Sequence, residues 1–146
     1  MKNMALLIDT NIVLDWILKR QPFHQEASQI IDLCMCGKHH GYLAAHSILN
    51  VFYIIRKDLC VEERKDLTRL LCNKFEIIGI ECRQILKSLD IFNFKDIEDS
   101  LQIQCAIEEN LDFIITRNIK DFQYSRVKAL LPEDFLAMLN NTPFKA

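Results

Sequence analysis

The stretch that most constrains this chain is Met4-Ala5-Leu6-Leu7-Ile8-Asp9-Thr10-Asn11. Five consecutive apolar residues are too few for an ordinary helix and suit a fully buried strand. The run stops on a carboxylate, and Thr10 and Asn11 form turns and caps rather than extend a strand. Ile12, Val13, Trp16 and Ile17 then recur at helical spacing. A strand that passes into a helix through an acid puts that acid at the carboxyl edge of a sheet. In open α/β sheets, ligands bind at that edge. Taken alone, Asp9 could equally cap the helix that follows it. The positions of the other acids decide between the two.

Further along, apolar runs alternate with amphipathic segments. Short strands are expected at Gly41–Ala45, Phe75–Ile80 and Leu111–Thr116, with a weaker edge strand from Lys128 to Leu131. Helices are expected from His24 to Cys36 (closed by Gly37), after Ala45, from Glu62 to Asn73, from Glu81 to Leu89, from about Asp99 to Asn110, and from Pro132 to near Leu139. Strands separated by helices imply crossover connections and a parallel sheet with helices on both faces. The expected fold is a single α/β domain over residues 1–146, a three-layer α/β/α sandwich around four to five parallel strands.

Composition narrows the partners. The net charge of −2 offers no overall basic footprint for nucleic acid, although a local basic strip remains open. No apolar run approaches the roughly 20 residues of a membrane span. The first residues lack the features of an export signal, so the expected location is the cytoplasm. Six cysteines in such a chain are expected as reduced thiols. Cys34, Cys36, His39 and His40 lie close together, but C-x-C is not the spacing of a structural zinc site.

Topology then gathers the acids. Helices that follow a strand start at the carboxyl edge, which places Asp9 there. With it come Asn50 after the second strand, Asp121 after the fourth, and Asp99 with Asp96 at the opening of the helix that precedes the fourth strand. Asp96 and Asp99 also suit a capping role, three residues apart at a helix start. Carboxylates grouped without counter-charge repel one another, and a divalent cation resolves this. Asp9, Asp99 and Asp121 are the expected ligands, with Asp96 or Glu98 in support. Arg117 and Lys120 flank the late acid and are candidates for gripping phosphates, though they suit a solvated loop equally well.

Three segments together resemble the PIN-domain family. They are Leu6-Leu7-Ile8-Asp9-Thr10-Asn11, Phe94-Lys95-Asp96-Ile97-Glu98-Asp99-Ser100-Leu101, and Ile114 through Phe122 with Thr116-Arg117-Asn118-Ile119-Lys120-Asp121 at its centre. The resemblance implies an α/β/α fold, a Mg²⁺- or Mn²⁺-dependent ribonuclease with an RNA substrate, an antitoxin protein as partner, and a homodimer. Asp9 and Asp99 match its two most diagnostic acids, and the late acid corresponds to Asp121 or to the place held by Asn118. One position departs: many members carry glutamate where this chain has Asn50, and an amide ligates through oxygen without adding charge. Two other classes stay in view. One is a catalytically weak RNA- or protein-binding module on the same fold. The other is a phosphoacceptor domain using Asp9, for which Lys120 is a poor match to the lysine such domains need.

Overall fold

β1 (Ala5–Ile8) is the middle strand of a five-stranded sheet in the computed structural model, which describes residues 2–141. β2 (His40–Ala44) and β4 (Phe113–Ile115) flank it, and β3 (Glu76–Ile78) and β5 (Lys128–Leu130) form the edges, in the order β3-β2-β1-β4-β5. Every pairing is parallel, with Leu7 opposite both Tyr42 and Ile114. Parallel neighbours cannot be joined by tight hairpins, so helices carry the chain back. These are α1 (Thr10–Ile17), α2 (His24–Met35), α3 (Ala45–Ile54), α4 (Val61–Lys74), α5 (Cys82–Leu89), α6 (Ile97–Glu108), α7 (Ile119–Phe122) and α8 (Pro132–Asn140).

Successive strand residues point to opposite faces, and on β1 both faces are covered. Leu6 and Ile8 enter one core with Ile12, Ile30, Val51 and Phe135, drawn from α1, α2, α3 and α8. Leu7 enters the other with Ile103, Ala106 and Phe122 from α6 and α7. The expected three layers are therefore present. Full burial of one such side chain contributes roughly 1.5–3 kcal/mol, which is why the continuous apolar run takes the central place. Gly41 permits the packing beside it, because a Cβ there would lie 2.5 Å from the Phe75 ring. Gly37 ends α2 with φ of +80°, a conformation side chains disfavour.

Two strands are shorter than their apolar runs. Phe75 N still bonds Leu71 O at 2.9 Å, so α4 claims the first residue of the third run. Leu111 N bonds Ala106 O at 3.0 Å, finishing α6 before β4 begins. On α4 the expected stripe is partial: Leu71 is buried, but Leu70 is 38% exposed. All six cysteines are unbridged. Among the described residues no helix is long and apolar enough to cross a membrane.

Candidate functional site

The ends of β1 and β4 lie side by side, with Asp9 N donating to Ile115 O at 3.0 Å. Asp9 stands at the head of α1, yet its carboxylate makes no capping bond to that helix. The capping role that the sequence left open is thus not the one it performs. Its side chain is buried and held from two sides. Thr116 Oγ1 donates to Oδ2 at 2.9 Å, and Gln102 Nε2 reaches Oδ1 at 3.4 Å. Gln102 Nε2 also donates to Ser47 Oγ at 3.0 Å, and Thr10 Oγ1 donates to the same oxygen at 2.9 Å. Burial pushes the Asp9 carboxyl above its usual range, against the pull of the Thr116 hydroxyl.

Asp99 sits in the first turn of α6, half-buried. Burial, followed by the charges of Asp96, Asp9, Asp121 and Glu98, pushes its carboxyl up to about 7. No side chain donates to it among the described residues. Asp121 lies on α7, and Lys95 Nζ stands 4.0 Å from its Oδ1. A small cleft is lined by Asp96, Asp99 and Asp121, with Phe92 and Tyr124 beside them. Asp9 and Asp121, from distant parts of the chain, thus both raise the carboxyl of Asp99.

Other expected residues have different partners. Asp96 is the N-cap of α6: its Oδ1 accepts from Glu98 N at 2.7 Å and Asp99 N at 3.3 Å. The helix start therefore engages Oδ1, while the residue also lines the cleft with Asp99 and Asp121. Arg117 is engaged on the α1 side. Its Nε and Nη2 donate to Asp15 at 2.7 and 3.2 Å, and its guanidinium lies 3.9 Å from the centre of the Phe23 ring. Lys120 and Asn118 are exposed, and Asn118 N donates to Thr116 Oγ1 at 3.0 Å. Asn50 Nδ2 donates to Glu98 Oε1 at 3.1 Å.

Ser47, Gln102, Thr116 and Asp15 were not singled out from the sequence. Gln102 carried one signal, since three residues after Asp99 it shares that face of α6. Thr116 carried another as the last residue of a buried run.

A family model described as the PIN domain matches residues 5–120. The chain belongs to the PIN-domain family. It is 26% identical over 146 residues to Ribonuclease VapC1 of Aquifex aeolicus (strain VF5), a match covering 96% of this chain and 99% of that protein. Among solved structures, it resembles a toxin–antitoxin complex from Klebsiella pneumoniae with a TM-score of 0.67 at 23% identity, covering 88% of this chain and 98% of that one. It also resembles VapBC-1 from nontypeable Haemophilus influenzae with a TM-score of 0.67 at 17% identity, covering 89% and 99%. The likeness to these two structures concerns the fold.

This PIN domain offers a donor set suited to a hard divalent cation. Asp9, Asp99 and Asp121 present oxygen only, and their mutual repulsion is what a cation would relieve. Among the described residues, however, no three His, Cys, Asp or Glu side chains are gathered into a ready-made cage.

Proposed function

We propose that this PIN domain is a Mg²⁺- or Mn²⁺-dependent endoribonuclease, the toxin of a toxin–antitoxin pair, acting in the cytoplasm as a homodimer. The observation that carries this reading is the cleft that Asp99 and Asp121 line together, where burial and four neighbouring acids raise the Asp99 carboxyl to about 7. A structural helix cap has no use for that repulsion, whereas a cation site does. The relationship to Ribonuclease VapC1 supplies the reaction class. The resemblance to a toxin–antitoxin complex suggests the kind of partner.

Asp9, Asp99 and Asp121 would hold the cation. When bound, it supplies positive charge toward the scissile phosphate and the attacking water. Thr116 and Gln102 fix the rotamer of Asp9, so that this carboxylate does not reorganise during the reaction. Lys120 and Lys95, both exposed near the late acid, would attract the phosphate backbone. Exposed apolar side chains on α3 (Leu49, Tyr53), α4 (Val61, Leu70) and α5 (Leu86, Leu89) provide area for a second copy.

The test is cleavage of RNA by the purified chain with and without Mg²⁺ or Mn²⁺, beside Asp99→Asn. Cleavage that needs the metal and disappears in the variant supports the proposal. An active wild type in excess chelator overturns the metal dependence. A monomer by light scattering at tens of micromolar, within the range where weak association registers, removes the homodimer. A second reading, a catalytically weak binding module, is favoured by Asn50, which contributes no charge and is engaged with Glu98. RNA binding without cleavage would select it.

A further inference from the structure

Asp15 has a side chain with no solvent exposure, and charges buried to that degree must be paired. Arg117 provides the pair through two parallel bonds, with Arg20 Nη1 at 3.9 Å from Asp15 Oδ1. The two residues lie on different elements. Asp15 belongs to α1, the helix headed by Asp9, and Arg117 directly follows Thr116 at the exit of β4. The stacking of Arg117 on Phe23 further restricts where that exit can go.

From Arg117 the chain crosses the carboxyl edge from one layer to the other. Its far end is Phe122, which is buried in the opposite core with Ile103, Ala106 and Ile114. Asp121 is next to that anchor. Its backbone N bonds Asn118 O at 3.0 Å, and Asn118 N rests on Thr116 Oγ1 at 3.0 Å. The segment is therefore held at both ends and braced in the middle, leaving little slack between Arg117 and Asp121.

We propose that the Asp15–Arg117 pair is a positioning device for the acidic site, clamping the exit of β4 to α1 and thereby setting where Asp121 stands relative to Asp9 and Asp99. This rests on the reading of Asp121 as a cation ligand. It gives Arg117 a role distinct from gripping phosphate. The charge of Arg117 is also felt at Asp9, where it favours the ionised form.

The experiment compares full-length wild type with Arg117→Lys, Asp15→Asn and the double variant Asp15→Asn/Arg117→Gln. Arginine's planar fork cannot be replaced by a lysine point charge. The double variant leaves no lone buried charge, so it folds even where a single change does not. Mn²⁺ affinity is measured by calorimetry, together with kcat and RNA affinity across a salt series. The clamp predicts Mn²⁺ binding weaker by on the order of tenfold and a fall in kcat, as small misplacements produce. RNA affinity and its salt slope stay unchanged, and the double variant is no worse than the singles. In an Asp121→Asn background, breaking the clamp adds no further loss of Mn²⁺ affinity.

Unchanged Mn²⁺ affinity in a folded variant overturns the proposal, as does an equal loss in the Asp121→Asn background. So does weaker RNA binding with a shallower salt slope in the Arg117 variants alone, which marks a phosphate contact. Hydrogen exchange of residues 117–122 reads the clamp without metal. If wild type binds no Mn²⁺, the nuclease reading fails; faster exchange in the double variant still supports the clamp, and unchanged exchange overturns it.

Discussion

Asn50 Nδ2 donates to Glu98 Oε1 at 3.1 Å, tying α3 to the first turn of α6. A carboxylate at position 50 would instead face another carboxylate at hydrogen-bonding distance. The neutral amide thus relieves one repulsion at an edge that holds several others, at the cost of a charge that could help hold a cation.

Asn50→Glu is therefore expected to lower the metal-free Tm. A like-charge penalty on the order of 1 kcal/mol corresponds to about 2–4 °C in a domain of this size. Mn²⁺ should restore the loss and raise Tm further than it does in wild type, with activity rising if Asn50 limits it. Thermal melts with and without Mn²⁺ check this; equal responses in both proteins would sink the idea.

The Asp99 carboxyl, raised to about 7, sets a pH dependence. Its folded value lies above the roughly 3.9 of an unfolded aspartate, so between the two the native state holds more protons. The contribution to stability is full below the unfolded value and is lost as pH rises through the folded one. Without metal, Tm should fall between about pH 4 and pH 7 from this source, and Asp99→Asn should flatten that slope. Saturating Mg²⁺ should flatten it as well, because cation and proton compete for the same oxygens. A slope that survives Asp99→Asn unaltered would contradict the assignment.

Asp96 and Asp99 should separate cleanly although they are three residues apart. Asp96→Ala removes the cap of α6 and should cost about 0.5–2 kcal/mol while leaving the stabilisation by metal in place. Asp99→Asn should leave the metal-free protein as stable or more stable. It should also abolish both the Mn²⁺-induced gain and RNA cleavage, since only a ligand bound to the native state stabilises by mass action. Denaturant titrations with and without Mn²⁺ distinguish the two, and a metal-silent Asp96→Ala would reverse the roles assigned here.

Thr116→Val removes the hydroxyl that donates to Asp9 and accepts from Asn118 N. Leaving buried polar groups unpaired costs about 1–3 kcal/mol. The midpoint of urea unfolding should fall accordingly. Metal binding should weaken too, because Asp9 loses the bond that favours its ionised form. An unchanged midpoint would show that water takes over the hydroxyl's role.

Much of this protein is legible locally. Met4–Ile8 is apolar without interruption because both faces of β1 are covered, and the carboxyl-edge placement of Asp9, Asp99 and Asp121 follows from alternating strands and helices. That edge is a property of chain direction, which the order of elements alone establishes. The identity of each side chain's partner is a different quantity. Thr116 meets Asp9 across 107 residues, Gln102 meets it across 93, and Arg117 meets Asp15 across 102. Periodicity shows which face of a helix turns inward but not how far it slides or rotates on the sheet. A shift of an ångström or two decides whether a guanidinium finds a carboxylate or solvent. Hence the sequence by itself determined the layers, the parallel sheet and the edge on which the acids are expected. Only the packing of α1, α3 and α6 against that sheet decided that Asn50 holds Glu98 and that Arg117 is bound to Asp15.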